Sequence, residues 1–146
     1  MKLPSSISGW TVAVFGAMAL LLGTVGLVQP DVLLTMLGFE VVPADVRGAG
    51  DYTRTFMAAS SMASFNMGVY YLLAAITQWR SFYTFSVLFR LVTTIVFTAL
   101  VIGEVAPTRF LGVALWEGFG ALVTGAALLV ERRRAASVTA AGRVSG

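Results

Sequence analysis

The stretch FYTFSVLFRLVTTIVFTALVIG, residues Phe82–Gly103, decides the fold. It contains one charged residue, Arg90, and it has the length that an apolar helix needs to cross the ~30 Å hydrocarbon core of a bilayer. The next apolar run, Phe110–Val130, also contains one charge, Glu117. An arginine at membrane depth costs roughly 2.5–3.5 kcal/mol on insertion scales and is normally retained for a structural or functional reason. These two runs therefore predict membrane helices with opposite charges inside.

The rest of the chain follows the same pattern. Of its 146 residues, 58% are hydrophobic and 12% are charged, whereas soluble domains carry about a quarter charged residues. The predicted spans are Trp10–Gln29, Phe56–Thr77, Phe82–Gly103 and Phe110–Val130. Short connections make the last three antiparallel neighbours. The predicted fold class is all-α: one integral membrane four-helix bundle over residues 10–130.

The connection between the first two spans contains its own helix signal. Pro30 and Asp31 suit a first helical turn, residues 32–37 are nearly all apolar, and Gly38 suits a stop. So short a segment does not span a bilayer, and we expect a helix lying at the outer membrane interface. Residues 1–9 form a short N-terminal segment, and residues 131–146 form a basic tail that we expect to be disordered.

The distribution of positive charge predicts the orientation. One side of the predicted membrane carries Lys2, Arg80, Arg132, Arg133, Arg134 and Arg143, and the other carries Arg47, Arg54 and Arg109. The positive-inside rule then places both termini in the cytoplasm. The tail arginines suit an anionic leaflet, so the net charge of +3 does not indicate a nucleic-acid partner.

The residue types that are missing restrict the chemistry. The chain has neither cysteine nor histidine. It therefore lacks thiolates, the commonest metal ligand and the usual general base. We expect no cofactor, no metal site and no catalytic residue. The available hydroxyl groups have no base near them in sequence, which disfavours an enzyme acting on a membrane substrate. They belong to Ser60, Ser61, Ser64, Tyr70 and Tyr71.

Counting residues from the predicted membrane boundaries places three polar side chains in one central layer. At ~1.5 Å per residue, Arg90 lies roughly 12 Å from the cytoplasmic boundary and Glu117 roughly 10 Å from the outer boundary. The two levels differ by about 8 Å in a ~30 Å core, which an extended arginine bridges. Asn66, in the second span, falls between them. We therefore predict a buried polar site of Arg90, Glu117 and Asn66.

Two interpretations of this site are open. The pair can be a structural latch that fixes helix register, because paired charges need no ligand. It can instead belong to a small polar pocket for a lipid headgroup, a lipophilic molecule or a proton. Arg54 is a rival partner for Glu117 if its side chain turns inward. It belongs to a second predicted set of charges at the outer mouth: Asp51, Arg54, Glu104 and Arg109.

These residues resemble a family pattern. The segment Pro30-x-x-Leu33-Leu34-x-x-Leu37-Gly38, Asp51 and Arg54 at the start of the second span, Gly68, Arg90 and Glu117 are similar to an uncharacterised family of small bacterial four-helix membrane proteins, distantly DoxX-like. The resemblance covers roughly residues 10–130. It implies a multi-pass protein of the bacterial cytoplasmic membrane, and a link to redox and quinone-associated membrane systems, without implying a particular reaction.

Two functions follow as expectations. The favoured one is a non-enzymatic accessory or structural component of a membrane complex, acting in the lipid bilayer as a homodimer or with another membrane protein. Small-residue stripes such as Gly16, Ala19, Gly23 and Gly26 suit such contacts, although they equally suit packing within one bundle. The alternative is a small transporter or a binder of lipid or of a quinone-like ligand, using Arg90, Glu117 and Asn66.

Overall fold

The computed structural model describes the backbone of residues 3–144 and the side chains of residues 3–137. The secondary structure of this part of the chain consists of helices without strands, as the sequence predicts. The elements are α1 (Ile7–Val28), α2 (Pro30–Leu37), α3 (Thr53–Ile76), α4 (Arg80–Ile102), a 3-10 turn (Thr108–Phe110) and α5 (Leu111–Val144). Lys2 and the side chain of Arg143, both counted in the predicted orientation, lie outside the described residues.

Three of the described helices are long and apolar enough to cross a membrane. They are α1, α4 and the segment Thr108–Ser137, which comprises the 3-10 turn and most of α5. Helix α3 has 24 residues, which is sufficient length, but Asn66 and several serines make it more polar. The prediction of membrane helices is therefore supported for three of the four spans.

Left-handed residues end three of the helices. Gly38 (φ 87°) ends α2, Gln78 (φ 54°) follows α3 and Glu104 (φ 58°) follows α4. After each of them the next amide bonds back to the last helical turn, as Val105 N–H does to the Leu100 carbonyl oxygen at 2.9 Å. This is the Schellman ending, for which glycine is the usual residue. The helix predicted from Pro30 and Gly38 is present with both expected ends.

Helix α1 packs closest along α3. A Cβ atom on Gly23 would lie 2.6 Å from the Phe65 nitrogen, and one on Gly68 would lie 2.6 Å from the Leu20 nitrogen. Such distances leave no room for a side chain, so glycine lets the two backbones touch, as small residues do between membrane helices. Gly16 lies beside Tyr71 and Gly23 beside Phe65, so the two helices run antiparallel.

Helix α5 packs against both α1 and α4. The Thr124 hydroxyl donates to the Thr11 hydroxyl oxygen at 3.0 Å, and Glu131 contacts Ser8 further along. On the other side, Gly118 faces Thr94 and Gly125 faces Val87. In both contacts residue numbers rise on one helix as they fall on the other. Helix α5 is therefore antiparallel to α1 and to α4, and α1 and α4 run parallel to each other.

Helices α3 and α4 are connected by a tight turn but hardly touch beyond it. Near the turn, the buried Tyr83 hydroxyl donates to the Ala74 carbonyl oxygen at 3.2 Å and holds the two ends together. Away from the turn the helices separate, contrary to the expectation of close neighbours along their length. The separation occurs because each helix has a stronger packing partner, α1 for α3 and α5 for α4. It leaves an interior space between α3 and α4.

The predicted disorder of residues 131–146 is wrong for most of the segment. Helix α5 continues without a break to Val144. The sequence ERRRAA at residues 131–136 consists of strong helix formers and contains neither glycine nor proline. The correction applies to the backbone of residues 131–144, because the last two residues of the predicted tail lie outside the described part of the chain.

Candidate functional site

Arg90 is the centre of the buried site. Its side chain leaves α4 towards the middle of the bundle, and the residue is 3% exposed. Its Nε lies 3.3 Å from Glu117 Oε2, so the structure brings the two charges together as the depth count predicts. Its Cζ lies 3.3 Å from the centre of the Phe15 ring, which gives the cation an aromatic face from α1.

The neighbouring helices are shaped to receive the guanidinium group. A Cβ atom on Gly120 would overlap Arg90 Nη2, so the group occupies space that only glycine leaves free. Phe15 is held in turn by Tyr71, with ring centres 5.4 Å apart, and by Trp116, stacked at 5.7 Å. The position of Arg90 is therefore fixed by α1, α3 and α5 together.

The guanidinium group is only partly satisfied. Nη1 and Nη2 of Arg90 are buried and have no hydrogen-bond partner among the described residues. A guanidinium group has five N–H donors and no acceptor, and here only Nε meets a carboxylate. Ser61 Oγ, on α3, is also buried and has no hydrogen-bond partner among the described residues. Unsatisfied buried donors are rare and need a physical explanation.

Both Arg90 and Ser61 border a cavity of about 560 Å³ between α3 and α4. This volume lies within the ~300–1,000 Å³ typical of small-molecule sites. The wall is largely aromatic and aliphatic, and Met57 and Tyr71 mark its extent along α3, roughly 21 Å by helical rise. At one end α2 covers it with Leu33 and Leu37. The space therefore fits an elongated apolar molecule, with Arg90 and Ser61 among the residues of its wall.

A second, smaller cavity lies on the opposite side of Arg90. Its volume is about 270 Å³, and residues of α1 and α5 line most of it, including Trp10 and Trp116. Phe15 and Arg90 line both cavities. Arg90 and Phe15, which contact each other, therefore separate the two cavities.

The structure does not bring Asn66 to this site. The residues of α3 that line the larger cavity are Met57, Ser60, Ser61, Ser64, Met67 and Tyr71. Asn66 is two residues beyond Ser64, about 200° around the helix, and is half-buried on another face. The predicted three-residue layer is therefore a two-residue contact, because depth along a helix does not determine the direction of a side chain.

Arg54 does not compete for Glu117. It makes a two-pronged ion pair with Asp31 at the start of α2, with Nε 2.9 Å from Oδ1 and Nη2 in contact with Oδ2. These hydrogen bonds from Arg54 hold the pKa of Asp31 below its ordinary value. The contact ties α2 to α3 over the end of the cavity. The predicted rivalry is therefore absent from the described structure.

The other outer-mouth residues do not form one cluster. Asp51, one residue before the N-cap of α3, accepts the Thr53 N–H at 2.9 Å and pairs with Arg47 at 3.5 Å. The hydrogen bonds from Thr53 lower the pKa of Asp51. Glu104 is exposed at the end of α4. Arg109 is also exposed, and the stem of its side chain packs on Gly38.

A polar contact at the opposite end is not predicted from the sequence. Glu131 of α5 accepts the Ser8 N–H and the Ser8 hydroxyl, both at 2.9 Å, and forms an ion pair with Arg80 of α4. The carboxylate thus satisfies one of the free amides at the start of α1, where the helix dipole favours negative charge. An acid at the end of the last apolar run is the signal that could have indicated it.

No family model, curated protein or solved structure matches this chain. Its function is therefore inferred from the site itself. The site offers a fixed cation with free donors, a carboxylate beside it and a long apolar space. Such an arrangement suits binding and orienting a molecule.

Proposed function

We propose that this protein is a four-span integral membrane protein that binds a lipophilic molecule in the cavity between α3 and α4. The bound molecule carries an oxygen that accepts hydrogen bonds from Arg90. The observation that carries this proposal is that Arg90, whose two buried Nη atoms have no partner among the described residues, lines a cavity of about 560 Å³.

Helix direction supports four crossings of the membrane. Helices α1 and α4 run parallel, since both are antiparallel to α5. If both cross the bilayer, the chain between them has to return to the side from which α1 started. Helix α3 is the one long helix between them, and it lies antiparallel against α1. Its serines and Asn66 then lie at membrane depth, where packing against other helices and the cavity makes them tolerable.

The geometry of Arg90 favours a binding role over a latch alone. A latch gains most from a two-pronged contact in which a carboxylate meets two guanidinium nitrogens. Arg54 and Asp31 make that contact in this chain. Arg90 offers Glu117 only Nε, and leaves its other two nitrogens buried without an acceptor in the described part of the chain. An incoming oxygen would remove this cost.

The proposed role is non-enzymatic and belongs to the bacterial cytoplasmic membrane, with both termini in the cytoplasm. The cavity wall includes hydroxyl groups, but the chain has no histidine or cysteine to activate them. Binding then serves storage, transfer or presentation of the ligand to a membrane partner. A lipid or a quinone-like molecule fits the apolar wall.

The test is to identify what remains bound after gentle purification. The full chain is extracted in mild detergent, and co-purifying small molecules are quantified by mass spectrometry. Ser60→Phe fills the cavity from α3 at an exposed position, and Val69→Phe adds the same ring on a face of α3 away from the cavity. We expect the wild type and Val69→Phe each to retain one lipophilic species, at about one molecule per chain. We expect Ser60→Phe to lose it. A complement of ordinary lipid that is identical in all three proteins would overturn the proposal.

A further inference from the structure

The charge at the site determines which kind of head group it accepts. Among the described residues that line the larger cavity, Arg90 and Glu117 are the two with formal charges, and they are opposite. They lie in contact, so the part of the wall that they form is neutral as a whole. We propose that the ligand is an uncharged lipophilic molecule with a carbonyl, ester or hydroxyl oxygen, and that Glu117 excludes lipids with an anionic head. This inference rests on the proposed function and deepens it.

An anionic head group would disturb this balance. A carboxylate or phosphate bound to Nη1 and Nη2 would place a second negative charge within a few ångströms of Glu117. The surrounding side chains are mostly apolar, so water does not screen the repulsion well. The incoming charge would also lose its hydration on entering the cavity. Binding an anion therefore requires that Glu117 be neutralised.

A neutral oxygen avoids both costs. A carbonyl or ester oxygen has two lone pairs and can accept a hydrogen bond from the Arg90 guanidinium group without adding charge. Hydrogen bonds from a charged donor are stronger than those between neutral groups. The apolar body of the ligand then contacts the aromatic and aliphatic wall, which includes Phe89, Phe97 and Met67. The cavity thus matches an uncharged head attached to a long apolar chain.

Glu117 becomes the residue that determines specificity. It lies beside Arg90 Nε, and its side chain is 18% exposed. Replacing the carboxylate by an amide keeps the shape and one oxygen acceptor for Nε. It leaves the site with a net positive charge. Glu117→Gln should therefore change the preference from neutral to anionic head groups.

The experiment compares two ligands with the same acyl chain, one with an ionised head group and one with an uncharged methyl ester. Stearic acid and methyl stearate, each carrying a photoreactive diazirine in mid-chain, are cross-linked to the purified full chain at a pH where the free acid is ionised. The labelled residues are mapped by mass spectrometry. In the wild type we expect the ester to label the wall of the larger cavity about tenfold more than the acid, the ratio that ~1.4 kcal/mol gives. In Glu117→Gln we expect the acid to label as well as or better than the ester.

Other outcomes separate this inference from the proposed function. Labelling of the wild-type cavity by the acid as strongly as by the ester overturns the inference on charge and leaves lipophilic binding standing. If neither probe labels the cavity of the wild type, so that the wild type and Ser60→Phe give the same result, the proposed function is overturned. If Glu117→Gln does not fold, the ratio in the wild type decides by itself.

Discussion

At the scale of single residues, the parts of the Arg90 guanidinium group have different surroundings. One nitrogen faces a carboxylate, the face of the group covers an aromatic ring, and two nitrogens have no partner among the described residues. Each contact lowers the cost of a cation among apolar helices, and together they leave part of that cost uncompensated. A residue held so firmly and satisfied so incompletely would be preorganised for the proposed ligand, because the protein has already fixed its donors.

The stability of the pair is testable by a double-mutant cycle. Arg90→Leu leaves the half-buried Glu117 without its partner, and Glu117→Gln leaves the buried Arg90 with a weaker one. Breaking a buried ion pair costs about 3–5 kcal/mol, whereas replacing both partners is often close to neutral. We expect each single variant to melt earlier in detergent and the double variant to recover most of the loss. The double variant should still bind no ligand, which separates folding from binding.

Gly120 provides a sharper test of the same arginine. Gly120→Ala places a methyl group where Arg90 Nη2 lies, so the guanidinium group has to move away from Phe15 and Glu117. Gly125→Ala is the matched control on the same helix, since its methyl group would meet Val87 at an ordinary 3.6 Å. We expect ligand binding to fall at least about tenfold, or ~1.4 kcal/mol, in Gly120→Ala and to be unchanged in Gly125→Ala. Equal binding in both variants would contradict the assigned position of Arg90.

At the scale of helices, α2 acts as a cover that an ion pair fastens. Leu33 and Leu37 close one end of the larger cavity, and Asp31 fastens α2 to Arg54 of α3. Because Arg54 holds the folded pKa of Asp31 below its ordinary 3.8, the contact stabilises the fold above that pH. The contribution is lost as the pH falls through the lowered pKa. We expect Asp31→Asn to lower the melting temperature at neutral pH and to flatten its decline in acid, as measured by melting curves from pH 7 downwards.

The end of α4 predicts a stabilising substitution. Glu104 occupies a left-handed conformation at φ 58°, which costs a residue with a side chain roughly 1–2 kcal/mol. Glu104→Gly should therefore raise the melting temperature. Gln78 has a similar φ of 54°, but its side chain also accepts from Ser6 and donates to the Ala75 carbonyl oxygen. Gln78→Gly should gain less or lose stability, and a larger gain at Gln78 than at Glu104 would contradict this explanation.

Particular residues show how much of this arrangement can be predicted from the sequence. Hydropathy and end signals locate the helices to within a few residues, except for the end of α5, which continues past the predicted Val130 to Val144. The level of Arg90 and Glu117 follows from helical rise. Asn66 is misplaced because rise gives height but not direction around the helix. The partner of Arg54 is missed because nothing local places α2 beside α3. The contact of Glu131 with Ser8 joins residues 123 positions apart, which only the packing of α1 on α5 brings together.

At the scale of the whole molecule, polar contacts form three layers along the bundle. Asp31 and Arg54 lie at one end, Arg90 and Glu117 near the middle, and Ser8, Arg80 and Glu131 at the other end. One end layer joins the consecutive helices α2 and α3, the other joins α1 and α4 to α5, and the carboxylates of both are well satisfied. The middle layer is the exception, with free donors beside a cavity. Function is therefore expected in the middle layer, and structural fastening at the ends.

The arrangement of the helices also predicts the number of membrane crossings. Four crossings place both ends of the chain on one side, whereas three would place them on opposite sides. The chain has no cysteine, so single cysteines report position without background labelling. Exposed positions are available at both ends of the bundle: Ser5, Ser81 and Ala136 on the predicted cytoplasmic side, and Ala44 and Val105 on the predicted outer side.

We expect a membrane-impermeant maleimide added to intact cells to label the cysteines at Ala44 and Val105 and to spare the other three until the cells are opened. Labelling of the cysteine at Ser81 together with that at Ala44 would mean that α3 does not cross. In that case α1 and α4 could not both span the bilayer while running parallel. The cavity between α3 and α4 would then lie outside the membrane, and its apolar wall would need another explanation than a ligand taken from lipid.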